Sequence, residues 1–288
     1  MPILNKDMQV CISLAARPSN LGTRFHNFLY DELGLNFVYK AFTTNDLEGA
    51  VRGIRALNFR GCSVSMPFKE AIIEFVDVMA PSALAIESVN TVVNDNGVLT
   101  ASNTDFEAVL SLLGERGIDP KFNVLLRGSG GMAKAVAAAF KQAGFSSVTI
   151  QTRNAEAGQA LAAKLGFEFV TDAEVAELAE LAELTYAAAR PKPFDVLVNV
   201  TPIGMAGANE TELSFAPSLI ADAQVVFDVV AFPAETPLIA AARASGKTVI
   251  TGAEVIALQA ALQFEAYTGV ALSADQVRRA SEFSRLPA

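Results

Sequence analysis

Apolar and polar positions along the chain alternate in blocks. Between residues 8 and 80, β-prone apolar runs trade places with stretches whose apolar residues recur at helical spacing. MQVCISLA, NFVYKAF and GCSVS predict strands; TRFHNFLYDELG, NDLEGAVRGIRALN and KEAIIEFVDVM predict helices, the second opened by a polar cap. Strands separated by helices of this length predict βαβ units and a parallel sheet. TVVNDNGVLTA breaks the alternation, because Asn96-Gly97 between two β-prone runs predicts a two-residue hairpin, here expected to close the first sheet. A second alternation starts at Asn123. NVLLRG, SVTIQT, FDVLVNV, AQVVFDVV and KTVITG predict strands. GMAKAVAAAFKQAG, which stops at a glycine, AEAGQALAAKLG, EVIALQAALQFEAYTG and SADQVRRASEF predict helices. The last opens with Ser273 and Gln276 at capping-box spacing. AEVAELAELAELTYAAARPKP is low in complexity and predicts a surface helix with a Pro-rich loop, without site chemistry. The expected fold class is α/β, with an N-terminal βαβ domain over residues 1–105, joined by C-terminal helices from 253–288, and a second alternating domain over 106–252.

Length and composition agree with that division. The 288 residues, 51% of them hydrophobic, suit one large domain or two ordinary ones with a sizeable core. A net charge of -9 and a pI near 4.8 argue against a nucleic-acid or anionic-membrane surface. No apolar run is long enough to span a bilayer; Glu254 and Glu265 interrupt the best candidate. MPILNKDMQVCISLAA lacks a basic start, so its apolar stretch predicts a first strand rather than a signal peptide, and a cytoplasmic location is expected. Cys11 and Cys62 lie in strand-like runs and predict buried free thiols; with His26 the single histidine, no metal site is expected. His26, beside Phe25 and Phe28 in a helical stretch, predicts a structural or helix-start role rather than a general base.

Two stretches carry chemistry. Gly128-Ser129-Gly130-Gly131-Met132-Ala133 follows a strand and opens a helix, the G-x-G-x-x-A form of the dinucleotide fingerprint. Gly128 permits the turn, Gly130 lets the backbone approach a pyrophosphate, and Ala133 lets helix and sheet pack closely. The next strand ends in Gln151-Thr152-Arg153-Asn154, without the acid that an NAD ribose hydroxyl prefers. Arg153 suits a 2′-phosphate instead, so NADP is the expected cofactor; Glu156 reads as a first-turn helix acid. The second stretch is GCSVSMPFKE, which sets Lys69 at the mouth of an apolar strand. Taken alone, that lysine reads as a solvated residue opening a helix.

The order of motifs resembles the shikimate dehydrogenase family over almost the whole chain. VSMPFKE is similar to that family's V-T-V-P-F-K-E loop, SVNTVV to its V-N-T block, and SNTDFEA to its D-N-T-D block. TRN stands where the family has its N-R-T clamp; NVTPIGM, FDVVAFPAETPL and GAEVIALQA resemble its N-A-T-S-x-G-M, Y-D-x-x-Y-x-P-x-x-T-P-L and G-x-x-M-L-x-x-Q-A blocks. The resemblance implies a substrate-binding domain and a Rossmann-type NADP-binding domain with a cleft between them. It implies catalysis by Lys69 and Asp105, which meet across the cleft in the family and pass a proton as one coupled unit, and substrate contacts from Asn20, Ser65, Lys69, Asn90, Asp105 and Gln259. Cofactor contacts are implied for the glycine loop from Gly128 to Ala133, for Thr152 and Arg153, and for Val229 and Gly252. The implied activity is hydride transfer between NADP and a shikimate-like cyclic hydroxy acid, with shikimate itself a poor substrate. An NADP-binding sensor or interaction protein with vestigial activity is the competing reading.

The chain also departs from the family. Two serines of S-x-S-P-x-x-H-N become Asn20 and Gly22; Ser19, Thr23, Arg17 or Arg24 are candidates to replace their hold on a carboxylate. The asparagine of N-V-T becomes Ser63, with Ser65 keeping a hydroxyl, and the tyrosine of Y-x-P-x-x-T-P becomes Ala231. The half that handles hydride resembles the family and the half that recognises the acid does not. That pattern is similar to a shikimate dehydrogenase-like subgroup. Oligomeric state is left open by these features.

Overall fold

In the computed structural model, which describes residues 4–175 and 194–286, the strands assemble into two six-stranded sheets, each in its own compact unit. The first unit is Met1–Glu107 with Ala257–Ala288; the second is Ala108–Ile256. The chain crosses between them inside two helices, Thr104–Glu115 and Gly252–Thr268. The low-complexity stretch predicted as surface helix and loop falls, from residue 176 on, outside the described residues.

The first sheet contains β1 (Gln9–Leu14), β2 (Phe37–Phe42), β3 (Gly61–Val64), β4 (Val78–Met79), β5 (Thr91–Asp95) and β6 (Val98–Ser102), in the order β2-β1-β3-β5-β6-β4. β1 pairs parallel with both β2 and β3, as the βαβ pattern predicts. β5 then runs antiparallel to β3, so the sheet is mixed rather than parallel. Asn96 and Gly97 both adopt left-handed φ, 54° and 94°, which a hairpin turn of this type requires. The hairpin does not close the sheet, because β4 pairs parallel with β6 and takes the edge.

β4 comes from the second half of KEAIIEFVDVM, which helical periodicity assigns to a helix. The helix lasts only for Phe68–Ala71 and tightens into a 3₁₀ turn at Ile72–Phe75. Competing bonds explain the change. The Arg55 guanidinium donates to the Phe75 carbonyl at 2.9 Å and to Asp77 at 2.7 Å. Asp77 accepts the Leu99 N–H at 2.7 Å, and its own N–H reaches the Leu99 carbonyl at 3.0 Å. Sheet pairing thus replaces the next helical turn, and β-branched Val76 and Val78 favour it.

Successive residues of β1 face opposite sides. Ile12 and Leu14 join Val51 and Ile54 of the Leu47–Ala56 helix, whose cap Asp46 accepts the Gly49 N–H at 2.8 Å. Cys11 faces the other side, with Phe25, Leu29 and Tyr30 of the Asn20–Glu32 helix and with Phe264 and Tyr267. Both cysteines are fully buried free thiols, and burial pushes the Cys11 thiol up to about 12. Ser273 and Gln276 form the capping box at the start of the Ala274–Arg285 helix.

The second sheet is wholly parallel: β7 (Val124–Arg127), β8 (Val148–Gln151), β9 (Glu168–Val170), β10 (Val196–Asn199), β11 (Val225–Asp228) and β12 (Thr248–Thr251), ordered β12-β11-β10-β7-β8-β9. This is the doubly wound dinucleotide-binding order, and its direction reverses between β7 and β10, where such sheets bind ligands. β8, β10 and β11 are buried along their length, and β10 and β11 accordingly open with three apolar residues in a row.

Candidate active site and dinucleotide pocket

Lys69 stands in the short Phe68–Ala71 helix after β3, and Asp105 in the first turn of the Thr104–Glu115 helix. Lys69 Nζ donates to Asp105 Oδ2 at 2.7 Å, with side chains 28% and 15% exposed. Each residue is held from behind. The Lys69 carbonyl accepts the Val89 N–H at 2.8 Å, tying the lysine loop to the Val89-Asn90-Thr91 segment. Asn103 accepts the Phe106 N–H at 3.1 Å and donates to the Ser88 carbonyl at 3.0 Å, which fixes the start of the aspartate's helix.

Asn90 is 3% exposed, and its Oδ1 accepts three bonds: from the Thr104 N–H and the Thr91 hydroxyl, both at 2.8 Å, and from the Thr104 hydroxyl at 3.1 Å. A backbone N–H can only donate, so the atom facing it is oxygen and the amide orientation is settled. Nδ2 is therefore the free end, buried and without a partner among the described residues. Leaving such a donor unpaired costs about 1–3 kcal/mol, which a ligand acceptor recovers. Gln259 joins the same group, its Oε1 lying 3.3 Å from Thr104 Oγ1 and competing with Asn90 Oδ1 for the one hydroxyl proton. Ser65, just past β3, and Asn20, in the first turn of the Asn20–Glu32 helix, are exposed, and among the described residues no side-chain hydrogen bond links them to this network.

The altered loop has its own logic. A Cβ at Gly22 meets the Tyr39 hydroxyl at 3.4 Å, an ordinary contact, so the backbone there accepts a Cβ. Tyr39 donates to Ser63 Oγ at 2.7 Å. Arg24 donates to the Leu286 carbonyl at 2.8 Å and stacks over Phe283, which ties it to the C-terminal helix. Thr23 Oγ1 is buried with no partner among the described residues.

His26 is structural, as its surroundings predict. It is fully buried and stacks on Tyr39 with ring centroids 4.4 Å apart and planes 5° from parallel. Burial pushes its pKa down from 6.5 to about 3. Between those values the unfolded chain binds a proton that the folded chain refuses, so stability is full above about pH 6.5 and falls as pH drops towards 3. His26→Phe keeps the ring stack and is expected to flatten the Tm-against-pH curve over that window. Wild-type and variant curves that stay parallel in calorimetry count against a neutral buried imidazole.

In the second unit, Gly128-Ser129-Gly130 lines a cavity of about 810 Å³ together with Thr152 and Arg153. Gly128 has φ +130°, and a Cβ there falls 2.8 Å from Val200 Cγ2 and 3.0 Å from the Val200 carbonyl, so this turn accepts glycine only. Gly130 and Gly131 open onto empty space where side chains elsewhere stand, a cradle at the N-terminus of the Gly131–Gln142 helix. Ser129 Oγ and Thr152 Oγ1 lie 3.1 Å apart. Met132 stands in the helix's first turn, and Ala133 is fully buried, so it packs helix on sheet. The Arg153 side chain is exposed at the cavity. This set fits a dinucleotide with an extra phosphate.

Val229 and Gly252 are brought together, but against each other: a Cβ at Gly252 lands 2.3 Å from the Val229 carbonyl. The motif around them is braced by a buried aspartate. Asp228, fully buried and with its pKa raised by burial, accepts from Asn199 Nδ2 at 3.0 Å, from the Val230 N–H at 3.0 Å and from Thr236 Oγ1 at 2.6 Å. It thereby joins the NVTPIGM loop to the ETPL helix start.

Sequence reasoning passed over several residues here. Gln263, Thr91 and Thr104 are buried polar groups in runs that read as apolar helix or strand, and only their polarity at core positions marks them. Arg127 and Asp172 both line the cavity, and Asp172 accepts from Gln151 at 2.8 Å. Among the described residues there is no cluster that could hold a metal ion, and no helix is long and apolar enough to cross a membrane.

Residues 19–92 match the family model for the shikimate dehydrogenase substrate binding domain. The chain is 51% identical over 284 residues to a shikimate dehydrogenase-like protein of Haemophilus influenzae, covering 98% of this chain and 99% of that one. It is 37% identical over 262 residues to the shikimate dehydrogenase (NADP(+)) of Chlorobaculum tepidum, covering 88% of each. The crystal structure of shikimate 5-dehydrogenase from Thermus thermophilus, in complex with NADP(H) and shikimate, superposes with a TM-score of 0.81 at 29% identity, over 96% of this chain and 100% of that one. On motif order, sheet topology and these likenesses together, the chain belongs to the shikimate dehydrogenase family.

Proposed function

We propose that the protein is an NADP-dependent dehydrogenase that interconverts a ring hydroxyl and a ring ketone in a shikimate-like cyclic hydroxy acid. The observation that carries this reading is the 2.7 Å contact between Lys69 Nζ and Asp105 Oδ2, in a chain of a family whose members include NADP(+)-dependent shikimate dehydrogenases. NADP, when bound, accepts the hydride. Lys69 passes one proton to the Asp105 carboxylate that it already donates to as it takes the hydroxyl proton, so the two act as a unit. Asn90 offers its free Nδ2 to a substrate oxygen; Gln259, Ser65 and Asn20 are further substrate contacts. The loop from Gly128 to Ala133 holds the pyrophosphate, Thr152 and Arg153 the adenosine phosphate, and Val229 and Gly252 shape the nicotinamide end. On this reading residues 1–105 with 253–288 bind substrate and 106–252 bind the dinucleotide. Buried free thiols at Cys11 and Cys62 suit the cytoplasm as its location.

The acid-recognising groups set the substrate apart from shikimate. Gly22 and Ala231 lack hydroxyls that the family uses, and a ligand group left unpaired loses affinity. Gly22→Ser combined with Ala231→Tyr is expected to lower the KM for shikimate, and a Cβ at Gly22 meets only ordinary contacts. Thr23 Oγ1 supports the idea of a replacement hydroxyl. The function is tested by NADPH formation over a panel of cyclic hydroxy acids, shikimate and quinate first. NADP binding without turnover of any of them overturns it in favour of a sensor.

A further inference from the structure

The lost asparagine at position 63 leaves a gap in the polar wiring behind Asn90, and a residue from another element fills it. Gln263, on the Gly252–Thr268 helix, is 4% exposed. Its Nε2 donates to the Asn90 carbonyl at 3.2 Å and to the Thr91 hydroxyl at 3.0 Å. The Thr91 hydroxyl in turn donates to Asn90 Oδ1 at 2.8 Å. At the other end, Gln263 Oε1 accepts from Ser63 Oγ at 2.8 Å, and Ser63 accepts from Tyr39 at 2.7 Å. Every donor in this chain points one way, from Tyr39 through Ser63 and from Gln263 through Thr91, and Asn90 is left with its oxygen saturated and its Nδ2 free.

We infer that Gln263 is a positioning residue for substrate binding: its amide holds the Asn90 backbone and Thr91 hydroxyl so that Asn90 Nδ2 faces the ligand. This rests on the reading of Asn90 as a substrate contact. The register explains how the amide can change places. Ser63 lies directly opposite Thr91 in the β3–β5 pairing, where side chains approach closely, so an asparagine at 63 reaches the Thr91 hydroxyl across the strands. With serine at 63, the amide comes from the helix instead.

The test uses the full-length protein with NADP and shikimate as the probe. Gln263→Met keeps the volume and removes both amide ends. It is expected to raise the shikimate KM at least tenfold and change kcat less than threefold, with the NADP KM unchanged. Calorimetric shikimate affinity should fall in parallel and reads the same claim without turnover. Gln263→Ala should behave likewise, and adding Ser63→Asn to it should recover a large part of the lost affinity, which general destabilisation does not predict. A shikimate affinity within twofold of wild type in Gln263→Met overturns the inference, as does a double variant no better than Gln263→Ala. Wild-type protein that binds shikimate while no acid of the panel forms NADPH fails the proposed function and leaves the Gln263 comparison decisive. Wild-type protein that binds no shikimate removes Asn90 as its contact, and Gln263 with it.

Discussion

Lys69→Ala is expected to lose kcat by roughly 10²–10⁴-fold, the usual range for removing a general acid–base group, while folding and binding NADP as wild type does. Alanine removes the ammonium that Asp105 holds at 2.7 Å, and with it the proton carrier that the proposed mechanism requires. Asp105→Asn keeps the shape and a hydrogen-bonding side chain yet cannot share the proton, so similar damage is expected. The double variant should be little worse than either single one, because residues acting as a unit are not additive. The measurements are kcat on the best substrate found, with NADP affinity and Tm as controls. A merely solvated lysine predicts a stability change under about 0.5 kcal/mol and unchanged turnover. Turnover of Lys69→Ala within a few-fold of wild type therefore returns Lys69 to that ordinary role.

The second large effect concerns cofactor choice. Arg153 lines the second unit's cavity beside Thr152 and the glycine loop. A charge-assisted contact to a 2′-phosphate contributes roughly 1.5–3 kcal/mol, about ten- to a hundredfold in affinity. Arg153→Ala is expected to weaken NADP by that factor and to leave NAD almost untouched, measured by titrating each cofactor into the same protein. Equal losses for both place Arg153 away from the 2′-phosphate. Asp172, on the same cavity, accepts from Gln151 and lies 3.8 Å from the Arg127 guanidinium, whose charge offsets its own beside an anionic ligand.

Some of this was legible in residue order and some was not, for physical reasons. The doubly wound sheet announced itself because its strands are buried on both faces and read as VLLR, VTIQ, VLVN and VVFD between helical stretches. The glycine fingerprint was legible because the backbone at Gly128 tolerates no side chain. Periodicity failed at KEAIIEFVDVM, where helical spacing was real but Arg55 and Asp77, far apart in sequence, drew the chain into the sheet. The hairpin at Asn96-Gly97 was local and was read correctly, whereas its place inside the sheet depended on β4, a two-residue strand no local pattern marks. Lys69 and Asp105 were paired by resemblance alone; nothing in their spacing brings a strand-end lysine and a helix-start aspartate to 2.7 Å. Gln263 lay hidden in an apolar helical run, since its importance arises from bonds to Ser63, Asn90 and Thr91, which the chain supplies from two other strand ends.

The central claim is hydride transfer to NADP from a cyclic hydroxy acid. It is tested most directly by supplying shikimate, quinate and related acids bearing deuterium at the carbinol carbon and examining the reduced cofactor. The account predicts that at least one acid delivers its deuterium to the nicotinamide ring, and that Lys69→Ala abolishes most of that transfer while still binding NADP. Reduced cofactor that carries no deuterium, or no reduction by any acid under conditions where NADP is bound, contradicts it.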